Sequence, residues 1–229
     1  VDPTPHKLGY DVLVDSWSKV FNSEATVDGL PLVAIQIHAA ASSNPNVPKL
    51  NTANELNAAM REGVKVLTSK VTLVQLYDLS VDITNNHPQN KPALGARAAV
   101  AALNMVYGQG SVWSGPVLES ADYSIAGQIT LTFNNVGTGL KYIQLTEEAN
   151  KRYEPEGFPM PTDMYVDAIN GFSVWTGTEY VDITNAAFVG HNQIVLILPE
   201  GVVPAGVSYG HSLDILTANV FNEEGFPAV

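Results

Sequence analysis

The chain has 229 residues, 45% hydrophobic and 15% charged, which supports one large or two modest globular domains and excludes a disordered chain. It has no cysteine, so disulfides and thiolate metal sites are excluded. The net charge of −12 is uneven: residues 1–112 carry eight Lys/Arg against nine Asp/Glu (−1), whereas residues 113–229 carry three against fourteen (−11). That acidic half would repel a polyanion, so no nucleic-acid partner is expected.

Tyr10 to Phe21 opens the regular pattern. Its apolar residues Tyr10, Leu13, Val14, Trp17, Val20 and Phe21 recur every three or four positions and predict an amphipathic helix. Leu30 to Ile37 is a nearly continuous apolar run that reads as a buried strand. Leu50 to Leu67 is helical again, with Leu56, Ala59, Met60, Val64 and Leu67 on one face. A second strand follows at Val71 to Tyr77. Pro92 to Tyr107 then predicts a third helix, with Pro near its first turn and Gly108 as its stop.

Helix, buried strand, helix, buried strand, helix is the order of an open parallel α/β sheet. Two strands are too few to complete one, because such sheets are covered on both faces and average five or six strands. The chain is therefore expected to begin in mid-domain, and Val1-Asp2-Pro3, without an initiator Met or a signal peptide, reads as an interior or processed start.

From Trp113 onward the texture changes. Ile129 to Phe133, Gly171 to Trp175, Tyr180 to Ile183 and Gln193 to Leu198 are short strands divided by Gly, Asn and Pro, which predicts an antiparallel β-sandwich. Glu147 to Asp163 is polar and Pro-rich and reads as a long loop. The pentapeptide Val-Asp-Ile-Thr-Asn occurs at 81–85 and 181–185 with unlike flanks, so it is not a repeat. No apolar run approaches the roughly 18 residues of a membrane span. No membrane partner is expected.

Of the five histidines, His6, His38, His87, His191 and His211, one stands in a context that suits chemistry. His87 lies in Asn85-Asn86-His87-Pro88-Gln89-Asn90-Lys91, just beyond the strand that ends at Tyr77-Asp78-Leu79. Loops after the C-terminal ends of strands in open α/β sheets are where ligands and catalytic groups gather. Pro88 restricts His87 to an extended backbone, and an imidazole fixed on a rigid turn suits a general base. His38 follows the first strand at the same sheet end and is a candidate lining residue.

The segment Asn86-His87-Pro88-Gln89-Asn90-Lys91, with Gly95-Ala96-Arg97 and Tyr107-Gly108, resembles the catalytic-histidine block of the sialate O-acetylesterases, carbohydrate esterases of the SGNH-hydrolase superfamily. The similarity continues in order through Ser114-Gly115-Pro116, Ile129 to Phe133, Asn134 to Leu140, and Ala218 to Ala228. Upstream, Asp15-Ser16-Trp17 and Leu30-Pro31 to Gln36 also resemble family segments. The stretch from Thr146 to Thr162 has no counterpart.

The resemblance implies a fold and an activity. Residues 1–112 would be the C-terminal part of an open, mainly parallel, flavodoxin-like SGNH α/β domain carrying the catalytic His, and residues 113–229 an antiparallel β-sandwich accessory domain. The reaction implied is serine-type hydrolysis of acetyl esters on sugars, with His87 as base and no cofactor. The nucleophilic Ser and the oxyanion-hole blocks should precede Val1, so an N-terminal companion chain or segment is the expected partner and this chain alone is expected to be inactive. Ser42-Ser43-Asn44 lacks the preceding Gly of a nucleophile block, and Ser111 and Ser114 follow the His block, the wrong order. The family's acid before His-Pro is Asn85 here. Asp82 is the preferred orienting carboxylate and Asp78 the second choice.

Residues Asp163, Asp167, Asp182 and Asp214 are scattered without calcium-loop spacing, so no metal is expected. Trp17, Trp113 and Trp175 could pack in cores or stack on sugars. The resemblance also implies an extracytoplasmic setting (secreted, lysosomal or periplasmic). The alternative is a non-catalytic carbohydrate-binding or structural protein on the same scaffold.

Overall fold

A computed structural model describes residues 4–21, 30–37, 57–62, 71–79, 90–110, 112–144, 167–211 and 218–228. The chain divides into two compact units, Val1–Trp113 and Ser114–Val229.

The first unit is α/β. Helix α1 (Thr4–Phe21) starts earlier than its apolar spacing predicts. Val14 is buried on it, but Trp17, Val20 and Phe21 of the same apolar set are exposed, the last two by more than 70%. Leu30 N–H donates to Ser18 Oγ, tying the end of α1 to the start of β1 (Leu32–Ile35). Strand β1 pairs in parallel with β2 (Val71–Val74), Leu32 opposite Val71 and Ile35 opposite Val74. Parallel neighbours need a crossover, and helix α2, described over residues 57–62, lies within it. Ala59 and Met60 of α2 are buried, as their spacing predicts. Helix α3 (Lys91–Tyr107) lays Leu94, Ala98 and Ala101 against Val74, Leu76 and Leu79. The spacing of four and three puts those residues on one stripe. Two parallel strands are what the described residues contain of the expected sheet.

The second unit is β-rich and antiparallel. One sheet runs β3-β4-β9-β8, formed by Val117–Asp122, Gln128–Asn134, Gln193–Ile197 and Ala186–Val189. Another runs β10-β6-β7, formed by Gly206–Tyr209, Phe172–Trp175 and Tyr180–Ile183. Strands β5 (Leu140–Tyr142) and β11 (Val220–Asn222) make a third pairing.

Alternation dictates the core. Ile129, Leu131 and Phe133 of β4 and Ile194 and Leu196 of β9 point one way and are buried. They join Phe172, Val174, Ile183 and Val220 from the other sheets in one apolar cluster. The strands predicted at 129–133, 171–175, 180–183 and 193–198 are β4, β6, β7 and β9, each within two residues. Strands β3, β5, β8, β10 and β11 carry no comparable apolar alternation and are found by pairing alone. The predicted long loop at 147–163 lies outside the described residues.

Candidate functional site

The C-terminal ends of β1 and β2 are built from buried polar side chains. Beyond β1, Gln36 N–H donates to Val74 O at 3.0 Å, extending the ladder by one rung. Buried Asn57 on α2 then brackets Ile37: its Oδ1 accepts from Ile37 N–H at 3.0 Å and its Nδ2 donates to Ile37 O at 2.6 Å. Gln36 Nε2 donates to Asn57 O at 3.3 Å. One side-chain amide thereby satisfies both backbone groups of Ile37.

Beyond β2, Leu79 N–H donates to Leu76 O in a turn that ends the strand. Asp78 on that turn is buried, and Arg97 of α3 grips it with both arms of the guanidinium, at 2.7 Å to Oδ1 and 2.6 Å to Oδ2. Arg97 also donates to Gln75 O at 2.9 Å. Such a two-point pair is directional as well as strong, and here it clamps a helix to a strand end. Nearby on α2, burial pushes the Arg61 guanidinium below its ordinary pKa, while Glu62 and Tyr77 oppose that fall.

Helix α3 is capped at both ends. Asn90 Oδ1 accepts from Ala93 N–H at 3.2 Å, Pro92 sits in the first turn, and Gly108 closes the helix at φ +64°, donating to Asn104 O. The Asp78–Arg97 clamp and the Asn90 cap are the described features nearest in sequence to Asp82 and His87.

His87, Asp82 and His38 themselves lie outside the described residues. Asp78, the second-choice orienter, is held through both oxygens by Arg97. Ser114 Oγ accepts from Asn135 Nδ2 at 3.1 Å. His191 occupies the β8–β9 turn, where its carbonyl accepts from Leu140 N–H. His211 stacks on Tyr180 with ring centroids 3.6 Å apart. Trp17 meets Phe21 edge-on, Trp113 packs on the core of the first unit, and Trp175 packs on Tyr180. Among the described residues no group of acidic and histidine side chains has metal-binding geometry, and no helix is long and apolar enough to cross a membrane.

The C-terminal segments that carry the resemblance converge in the second unit, where they build a clasp. Asn222, fully buried, donates through Nδ2 to Ser114 O at 3.0 Å and Asn135 O at 3.3 Å, and accepts from Phe226 N–H at 2.8 Å. Gly115 lies so close to Pro227 that a Cβ there would sit 1.7 Å from the Pro227 carbonyl oxygen. Glu224 accepts from Thr138 N–H and Oγ1, both at 3.1 Å. Partial desolvation raises the Glu224 pKa, but these bonds, its own N–H and Lys141 outweigh it and hold the carboxyl below its usual range. Buried Asn219 bridges Ile143 O, Ala168 O and Asn170 N–H in the same manner.

The sequence reading missed the Asp78–Arg97 clamp and the Asn222 clasp. In both, the partners are distant in the chain and no local spacing links them.

No protein-family model matches the sequence, and no curated protein matches it. Among solved structures the chain is similar in fold to a carbohydrate acetylesterase from Xanthomonas citri, with a TM-score of 0.70 at 19% identity. That likeness covers 98% of this chain and 45% of the acetylesterase, so the chain spans somewhat less than half of the solved protein it matches in fold.

Proposed function

We propose that this chain is part of a carbohydrate O-acetylesterase of the sialate O-acetylesterase type, supplying the general base His87 to a serine nucleophile carried by an N-terminal companion chain or segment. The observation that carries the reading is the fold similarity to a carbohydrate acetylesterase over 98% of the chain. The parallel pairing of β1 and β2 supports it, because His87 follows β2 in sequence and the C-terminal end of a parallel strand is where an open α/β sheet presents catalytic groups.

In this reading His87 takes the proton of the serine hydroxyl as its oxygen attacks the acetyl carbonyl, and the tetrahedral intermediate collapses to an acetyl-enzyme. The imidazolium returns the proton to the departing sugar oxygen. Water, deprotonated by the same imidazole, then releases acetate. Asp82 holds the imidazole tautomer and stabilises its charged form. Asp78 is engaged by Arg97, which favours Asp82 for that part. His38, reached directly from the Asn57-bracketed end of β1, lines the sugar side.

The setting is extracytoplasmic. No metal or cofactor is needed for the reaction so written.

The test is acetate release from O-acetylated sugars and from 4-nitrophenyl acetate by the protein together with its companion. His87→Ala should lower kcat/KM by about 10²- to 10⁴-fold. Hydrolysis unchanged by that substitution removes His87 from the mechanism.

A further inference from the structure

The second unit carries an aromatic sheet face to which the proposed ester chemistry assigns no part. In the β10-β6-β7 sheet, Phe172, Val174 and Ile183 face the core. The alternate residues take the opposite face, which is open only in part: Ser173 is fully buried, Trp175 and Ser208 are half-buried, and Tyr180 and Asp182 are exposed. The strand register arranges them in two rows. Trp175 stands opposite Gly206 on one side and Tyr180 on the other. Ser173 stands opposite Ser208 and Asp182. One row is aromatic, the other is two hydroxyls and a carboxylate.

The aromatic row is braced from the β7 side. Tyr180 packs on Trp175 with centroids 4.9 Å apart, and His211 stacks on Tyr180 at 3.6 Å. On the β10 side Trp175 faces a residue with no side chain, and a Cβ added at Gly206 would meet nothing within 4 Å. The open slot beside Trp175 is floored by Gly206. In the adjoining row Asp182 is exposed, and the Ser173 hydroxyl is buried without a hydrogen-bond partner.

We propose that this face is a carbohydrate-binding site separate from the ester-cleaving site, taking a neutral glycan. The apolar C–H face of a pyranose ring stacks on Trp175 over Gly206, while its hydroxyls reach Asp182 and Ser208. Flat aromatic surface beside a few polar groups is the chemistry that suits an amphipathic sugar ring. Charge selects the class: residues 113–229 carry −11, so an uncharged glycan is accepted and an anionic one repelled. The choice of a sugar rests on the acetylesterase reading above. The site would hold the polymer whose acetyl groups are removed elsewhere.

The experiment is affinity gel electrophoresis of the full chain in deacetylated glucomannan, a neutral polymer with no ester to cleave, and in polysialic acid. Retardation is expected in glucomannan and not in polysialic acid. Gly206→Leu puts a side chain into the slot at a position where an added Cβ meets nothing within 4 Å, and Trp175→Ala removes the platform. Each should weaken the apparent affinity about tenfold or more. Because Trp175→Ala could disturb the fold, Gly206→Leu carries the test, its thermal unfolding expected to match the parent chain. No retardation in glucomannan, retardation unchanged by Gly206→Leu, or retardation only in polysialic acid overturns the proposal. His87→Ala leaves retardation intact, so loss of hydrolysis and loss of binding are read separately.

Discussion

The two units use buried polar side chains for different ends. In the second unit, Asn219 and Asn222 satisfy backbone groups of loops far apart in sequence, over an apolar core shared by all its sheets. In the first, Asn57, Asp78 and Arg97 hold the ends of two parallel strands, the Gln75 Nε2 and Thr72 Oγ1 atoms are buried without partners, and α1 exposes Trp17, Val20 and Phe21. Among the described residues each unit keeps a buried polar atom without a partner and exposed apolar side chains, Val20 and Phe21 in the first and Val203 in the second.

Substitutions in each unit test that contrast. The largest effect should come from His87→Ala: a 10²- to 10⁴-fold loss of acetate release with unchanged unfolding of either unit. A stability loss of similar size in free-energy terms would instead make His87 a packing residue.

Arg97→Leu leaves Asp78 buried and unpaired, and should cost the first unit about 3–5 kcal/mol. Urea unfolding followed by Trp17 and Trp113 fluorescence in a Trp175→Phe background would report it. An unshifted midpoint would show that the clamp is not structural.

Asn222→Ala should destabilise the second unit by about 2–3 kcal/mol, since one N–H and two carbonyls lose their partner at a buried site. Far-ultraviolet thermal melts would show the fall, and no fall would remove the clasp from the account. Gly108→Ala should cost roughly 1 kcal/mol, because an alanine is strained at φ +64°.

The smallest effect concerns Glu224. Its carboxyl is held low in the folded chain, so it adds stability above the unfolded carboxylate pKa and loses it as pH falls through the folded value. Glu224→Gln should therefore flatten the acid limb of stability below about pH 4.5 and converge with the parent at the lowest pH. Parallel curves would remove the carboxylate from the linkage.

Some of this architecture is legible residue by residue. Helix α3 announces itself through Pro92 and Gly108, and both signals are local. Strands β4 and β9 do so by apolar alternation. Strand β3 does not, because at the sheet edge only Val117 and Ala121 are even half-buried, and such a strand exists by pairing rather than by pattern. The pentapeptide at 181–185 begins inside β7, where Val181 and Ile183 take the core side, while the copy at 81–85 lies outside the described residues.

The sequence by itself determined the change of texture near Trp113, the acidic second half, the α/β order of the first half and the candidacy of His87. All of these rest on composition, periodicity or short-range context. Only the tertiary structure decided that Asp78 belongs to Arg97, that Asn222 ties Ser114 to Asn135, and that Trp175 stands between Tyr180 and the empty side of Gly206. Those pairings join residues brought together by sheet register and helix packing, and the energy that selects them does not exist until the chain has folded back on itself.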